Sequence, residues 1–266
     1  SDVNKPVSSN PADGYTMPAK LYTDPAVYEL EKTAIFSKTW HYIGHESHVC
    51  NTGDYLTLDI ADESVFIIRS DDDQLRGFFN VCRHRAHRLL EGAGNIHSIV
   101  CPYHAWSYRN DGSLRHARFS RDMPTFDPDD FCLPEIRVES VQGLLFVNLD
   151  LDAKSIDELA PGFKKDLGEL IPHMSSLRPL DTFAFDSPES ADWQANWKVV
   201  VDNYVECYHC APAHPALADL MEMGSYEHKV QHRWARQIAC KTRNENKAYT
   251  FGESDDVQIA AYWYLW

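Results

Sequence analysis

The sequence predicts an α+β chain in which an all-β domain is inserted into a second domain with an antiparallel sheet and flanking helices. Three observations carry this. Helical signals occupy residues 24–36, short alternating runs separated by Gly, Asp and Asn fill 40–151, and helical signals followed by strand-like runs return after residue 152. The implied partition is residues 1–37 as an arm and helix of the second domain, 38–152 as the β domain, and 153–266 as the rest of the second domain.

Along the chain, the first twenty or so residues read as an arm. Asp24 and Pro25 then supply an N-cap and a first-turn proline, and AVYELEKTAIF continues with helical spacing to about Phe36. DYLTLDI, SVFIIRS, LRGFFNVC and GLLFVNLD read as strands, and Asn110-Asp111-Gly112-Ser113 as a tight hairpin turn. Ser155 and Glu158 form a capping box, and a Pro161-Gly162 break precedes FKKDLGELI. NWKVVVDNYVECYHC predicts a helix ending near Pro212, and RWARQIACKTR and VQIAAYWYLW predict strands.

Lys and Arg number 25 against 40 Asp and Glu, a formal net charge of −15. That excludes a phosphate-backbone binder, which needs clustered cations, and is compatible with cationic substrates or with high solubility. No run approaches the ~20 apolar residues of a membrane span. The polar start, SDVNKPVSSNPADG, lacks the apolar core of a signal peptide, and seven cysteines are too few for a disulfide scaffold in 266 residues. The expected location is the cytoplasm, with no nucleic-acid or membrane partner.

Residues 82–104, CRHRAHRLLEGAGNIHSIVCPYH, hold the first metal constellation. Cys82 and His84 sit on one short loop, Cys101 and His104 on another, with Gly92 and Gly94 between them. Two thiolates and two imidazoles suit either zinc or a two-iron cluster with the histidines on one iron. Structural zinc sites usually pair Cys with Cys and His with His. One of each per loop instead favours a [2Fe–2S] centre of the Rieske type. Arg83 and Arg85 would offset its charge, and Pro102, Tyr103 and Trp106 would shield it.

A second dense set lies in NWKVVVDNYVECYHCAPAHP. Asp202, Glu206 and His209 are spaced i, i+4 and i+7 and would share one helix face. His214 would be swung back by a kink or helix end at Pro212. Two histidines and a carboxylate with open positions are a donor set for mononuclear Fe(II), against the competing reading of a buried amphipathic helix. Zinc held by Cys207, Cys210 and a histidine is a further competitor, but a second Cys pair is absent and both cysteines read as packing thiols.

NVCRHRAHRLL and IVCPYHAWSYRNDGSL resemble the Rieske domain of the Rieske non-haem iron oxygenases, with Ala86 and Ala105 standing where many members carry glycine. Asp-x-x-x-Glu-x-x-His-x-x-x-x-His is similar to that family's catalytic motif, and the likeness runs from about Leu21 to Trp266. The resemblance implies a [2Fe–2S] Rieske cluster on Cys82, His84, Cys101 and His104, and mononuclear Fe(II) on His209 and His214. It makes Glu206 the acid that bridges to a Rieske histidine of a neighbouring chain, and Asp202 a polar neighbour of the iron. The family's third ligand, a carboxylate, is expected beyond Trp266. Asp255 and Asp256 lie too early, and the chain reads as lacking its last part.

The wording DNYVECYHCAPAHP, with Glu206 where ring hydroxylators carry Asp, resembles members that oxidise glycine betaine, carnitine or stachydrine. The implied reaction is O2-dependent N-demethylation or adjacent C–H hydroxylation. Its electrons would come from an NAD(P)H-dependent reductase or ferredoxin component, since no nucleotide fingerprint is present. By the same resemblance the assembly is a homotrimer. The runner-up is an aromatic-ring-hydroxylating dioxygenase alpha subunit; a pure electron carrier and a structural zinc protein are the readings from other classes. Tyr204, Tyr208, Trp193, Trp234, Tyr262 and Trp263 are candidates for an ammonium cage, though core packing is the commoner role for each.

Overall fold

A computed structural model of the chain describes residues 16–170, 194–240 and 259–266. The start of the arm, Trp193, Asp255 and Asp256 lie outside the described residues, as does the side chain of Tyr262. Two compact units emerge, one formed by Lys32–Ala191 and the other by Ser1–Glu31 with Asp192–Trp266. Among the described residues, no helix is long and apolar enough to cross a membrane.

Helices α1 (Lys20–Thr23) and α2 (Pro25–Glu31) open the second unit. The Asp24 carboxylate accepts from the Ala26 amide at 2.9 Å, as the cap reading requires. The helical path then widens into a π-turn over Lys32–Phe36.

The larger unit begins with β1 (His41–His45), β2 (Asp54–Ile60), β3 (Glu63–Arg69), β4 (Leu75–Phe79), β5 (Ala93–Asn95) and β6 (Ile99–Val100). It continues with β7 (Ser107–Tyr108), β8 (Leu114–His116), β9 (Glu135–Val141) and β10 (Leu144–Asn148). Seven strands form one sheet in the order β1-β10-β9-β4-β3-β2-β5, antiparallel throughout, while β6, β7 and β8 form a separate three-stranded sheet.

β3 shows why SVFIIRS is an unbroken apolar run. Val65 and Ile67 enter one core with Leu56, Ile136 and Leu145, whereas Phe66 and Ile68 enter another with Phe78, Trp106 and Tyr108. A strand covered on both faces has no polar alternation to display. The predicted turn at residues 110–113 joins β7 to β8. Asp111 accepts from the Ser113 amide at 2.9 Å, and Gly112 takes φ +85°. A Cβ on Gly112 would stand 2.3 Å from Phe78, so that position excludes side chains on both grounds.

Helix α3 (Ile156–Leu159) carries the Ser155–Glu158 capping box, and α4 (Phe163–Leu170) follows the Pro161-Gly162 break. The second unit resumes with α5 (Trp197–Tyr204), α6 (Cys210–Ala213), α7 (Pro215–Leu220) and an antiparallel sheet of β11 (Glu227–Val230), β12 (Trp234–Cys240) and β13 (Ile259–Leu265). Here one expectation fails. The helix predicted to reach Pro212 ends at Tyr204, so Asp202, Glu206 and His209 do not share a helix face. Pro212 does not kink it either. It sits in the first turn of α6, where its missing N–H costs nothing. Pro215 sets His214 instead, because the residue before a proline is driven out of helical geometry, and His214 closes α6 at φ −125°, ψ 61°.

The arm is pinned to α5 within this unit. Lys198 Nζ lies 2.6 Å from Glu31 Oε1, and Trp197 Nε1 donates to Glu31 Oε2 at 2.8 Å. The Asn196 side chain donates to the Tyr22 carbonyl at 3.0 Å.

Candidate functional site

The first constellation is built on two loops of the larger unit with the same backbone wiring. In one, the Cys82 amide donates to the His87 carbonyl at 2.9 Å and the Ala86 amide to the Cys82 carbonyl at 2.9 Å. In the other, the Cys101 amide donates to Trp106 at 2.8 Å and the Ala105 amide to Cys101 at 3.0 Å. Each turn passes through a left-handed residue, Ala86 at φ 55° and Ala105 at φ 58°. Such a conformation suits glycine best and costs alanine about 1–2 kcal/mol. Asn80 braces the first loop: its carbonyl oxygen accepts from the Leu89 and Leu90 amides, and its amide donates to the Leu90 carbonyl at 2.7 Å.

The wiring brings all four predicted side chains to one place. Cys82 and Cys101 are both buried, and the His84 and His104 rings stand 4.7 Å apart, edge to face. Trp106 stacks on His84 at 4.8 Å with the planes 7° apart, and is itself held edge-on by Phe126 and Phe131. Tyr103 covers His104 with ring centres 3.7 Å apart.

The donor set fits a two-iron cluster. His104 Nδ1 is buried without a hydrogen-bond partner among the described residues, a costly orphan unless it is a ligand. Desolvation, His104 and Arg85 hold His84 below its ordinary value, which keeps it neutral and able to donate a lone pair. Burial pushes the Cys82 thiol up, so metal must displace its proton. The four fall into two pairs, Cys82 beside Cys101 and His84 beside His104. Pairs are what a cluster with two protein ligands per iron requires.

Tyr108 is a contributor that spacing alone does not reveal. Its buried hydroxyl accepts from the Arg83 amide at 3.0 Å and lies 3.3 Å from Cys82 Sγ, to which it would donate once that sulfur is a thiolate. A hydrogen bond to a ligating sulfur stabilises the reduced cluster. Tyr108→Phe is therefore expected to lower the cluster's reduction potential without loss of cluster, which a spectroelectrochemical titration of the two proteins would check.

The second constellation lies in the smaller unit. With α5 finished at Tyr204, the chain turns, and Glu206 becomes its organiser. Glu206 Oε2 accepts from the Tyr208 amide, and Oε1 lies 2.6 Å from His209 Nδ1. The bond from His209 holds the Glu206 carboxyl below its ordinary range, so it is ionised and fixes the histidine proton on Nδ1. Nε2 is left as the ring's free lone pair. His214 approaches His209 with ring centres 5.2 Å apart at 75°. Asp202 stays on α5, where the Tyr22 hydroxyl donates to it at 2.5 Å. Burial and this carboxylate push the Tyr22 phenol up to about 12.

Cys207 and Cys210 are joined as a disulfide, with Cα atoms 4.9 Å apart. This corrects the expectation of packing thiols. Their Cα separation is within disulfide reach, and a lone Cys-x-x-Cys spacing does not decide between thiols and a disulfide.

A cavity of about 270 Å³ opens beside the two histidines. Tyr204, Tyr226 and Tyr264, Met221 and Met223, and Leu217 line it together with Glu206, His209 and His214; Asp202 is not part of its wall. Of the aromatic candidates, Tyr204 lines the cavity, Tyr208 is 96% exposed and Trp234 is buried in the core. Trp263 is not in the wall. Tyr226 and Tyr264 had no sequence signal beyond being aromatic.

Two family models match the chain: the Rieske [2Fe-2S] domain over residues 39–127, and the ring hydroxylating alpha subunit (catalytic domain) over residues 180–261. The carnitine monooxygenase oxygenase subunit of Escherichia coli K12 is 38% identical over 97% of this chain and 67% of its own length. The glycine betaine monooxygenase oxygenase subunit of Chromohalobacter salexigens is 36% identical over 76% of this chain and 44% of its own length. A solved quaternary ammonium Rieske monooxygenase, described with carnitine oxidation by gut microbiota and inter-subunit electron transfer, superposes with a TM-score of 0.79 at 34% identity. It covers 93% of this chain and 65% of that one. The chain thus spans about two thirds, or less, of the length of these relatives.

Proposed function

The chain belongs to the Rieske non-haem iron oxygenases, and from that premise we propose that it serves an enzyme oxidising a quaternary ammonium compound by N-demethylation or hydroxylation of an adjacent carbon. The observation that carries the substrate class is the cavity wall. It combines ionised Glu206, three tyrosines, two methionines and a leucine, with no Lys or Arg among its described residues. A quaternary ammonium offers no hydrogen-bond donor and is recognised by ring faces and negative charge. The relatives' action on carnitine and glycine betaine supports the same reading.

Cys82, His84, Cys101 and His104 would hold the cluster, and His209 and His214 the mononuclear iron. Together these centres supply one-electron transfer and oxygen activation. The protein's own part is positional. Glu206 holds the Nδ1 proton of His209 and orients its ring, Trp106 fixes the His84 ring, and the apolar cavity wall keeps water from the reacting methyl group. Hydroxylation of an N-methyl carbon gives an N-hydroxymethyl group, which breaks down to formaldehyde, a proton and the tertiary amine. Electrons would reach the chain from an NAD(P)H-dependent reductase or ferredoxin component. Assembly as a homotrimer in the cytoplasm completes the proposal, with Glu206 as the link toward a neighbouring subunit's Rieske histidine.

The test is single turnover of the reduced full-length gene product with glycine betaine, carnitine, stachydrine and a set of aromatic acids. Formaldehyde or trimethylamine from ammonium substrates alone is the expected result. Ring-hydroxylated products alone would overturn the substrate class while leaving the metal assignments standing.

A further inference from the structure

Gln237 lies on β12, the middle strand of its sheet, and is 5% exposed. A buried primary amide must place two donors and an acceptor, and this one does. Its Oε1 accepts from the Tyr226 hydroxyl, while its Nε2 donates to the Tyr204 carbonyl at 2.8 Å and to the Tyr264 hydroxyl at 3.2 Å. Tyr264, from β13, donates its own proton to the same Tyr204 carbonyl. The Tyr226 hydroxyl also lies 3.3 Å from His228 Nε2 on β11. All three strands thus feed one network.

The carbonyl it converges on is a special one. Tyr204 is the last residue of α5, and the final carbonyls of a helix have no partner within it. Many helices end on a left-handed glycine that helps satisfy them. Here Val205 follows at φ −80°, and Gln237 and Tyr264 take that role from the sheet. Two residues on is Glu206, and three beyond it is His209, whose 2.6 Å contact depends on where the turn begins.

We propose that Gln237, with Tyr264, is a positioning residue for the mononuclear iron site: by fixing the Tyr204 carbonyl it sets the turn that presents Glu206 and His209. Gln237 also lines the cavity, but its hydrogen bonds run to Tyr204, Tyr226 and Tyr264, so its effect on the iron site passes through the turn. The inference rests on the reading that His209 and His214 hold that iron.

The experiment uses the full-length gene product carrying cluster and mononuclear iron, and follows release of the mononuclear iron to a ferrous chelator. The cluster's visible spectrum serves as the internal reference. Gln237→Met keeps length and loses every hydrogen bond; it is expected to release the mononuclear iron about tenfold faster, the lower end of what outer-shell changes cost a metal site. Tyr264→Phe keeps the ring and removes one of the two donors to Tyr204, giving a smaller acceleration. In both, kcat falls more than KM changes, and the cluster spectrum is unaltered. Release at the parent rate in these variants overturns the proposal, as does joint loss of cluster and mononuclear iron, which would make Gln237 a packing residue. Should Gln237→Met not fold, Tyr264→Phe decides alone. If mononuclear iron survives His209→Ala in an otherwise unchanged chain, the ligand assignment fails instead, and the inference falls with it.

Discussion

Glu206→Ala is expected to lower product formed per reduced cluster by about 100-fold, and Glu206→Gln by about 10-fold, the span that second-shell partners of metal-bound histidines command. The two variants separate two roles of one side chain. Alanine leaves His209 Nδ1 without its partner at 2.6 Å and frees the Tyr208 amide as well. Glutamine keeps an acceptor for the ring proton and removes only the charge. Single-turnover product yield, normalised to cluster absorbance and iron content, is the measurement. Parent-like turnover in Glu206→Ala would remove Glu206 from the site.

The largest effect on stability is expected at Lys198. Its ammonium and the Glu31 carboxylate, 2.6 Å apart, are each 9% exposed, so neither charge has water to fall back on. Removing one partner of a buried pair costs about 3–5 kcal/mol, chiefly because the other charge is left desolvated. Lys198→Met should therefore shift the denaturant midpoint of the unit strongly downward. Adding Glu31→Gln should recover most of the loss, since glutamine can still accept from Trp197 Nε1 while carrying no charge. A double variant no more stable than the single one would show that the loss comes from the lysine's packing against Trp197, whose ring its Nζ overlies at 5.1 Å.

How much of this was legible in the sequence depends on how far apart the cooperating residues are. DYLTLDI and SVFIIRS became β2 and β3 because alternation or continuous burial is a local property of a strand. The Ser155–Glu158 box and the turn at residues 110–113 were readable for the same reason. The two Cys–His pairs stood out because each sits on its own short loop. Glu206 and His209 were singled out together and do meet in the structure, but not through the geometry their spacing suggested. Their spacing fits a helix face, yet the Glu206 carboxylate caps its own turn instead of continuing α5. No local pattern links Tyr204 to Gln237 and Tyr264, or Tyr22 to Asp202 across 180 positions of chain. Those contacts exist only once the sheet and the arm have docked on α5.

The stack of His84 on Trp106, wedged by Phe126 and Phe131, also has a kinetic meaning. Electron transfer is slowed when nuclei must rearrange as charge arrives or leaves. The His84 imidazole is exposed, but one of its faces lies flat against an indole that is itself packed on two further rings, and that face cannot tilt inward. Were His84 to hold an iron of the cluster, an electron arriving there would meet a ring already set by this stack, which would keep the reorganisation energy small.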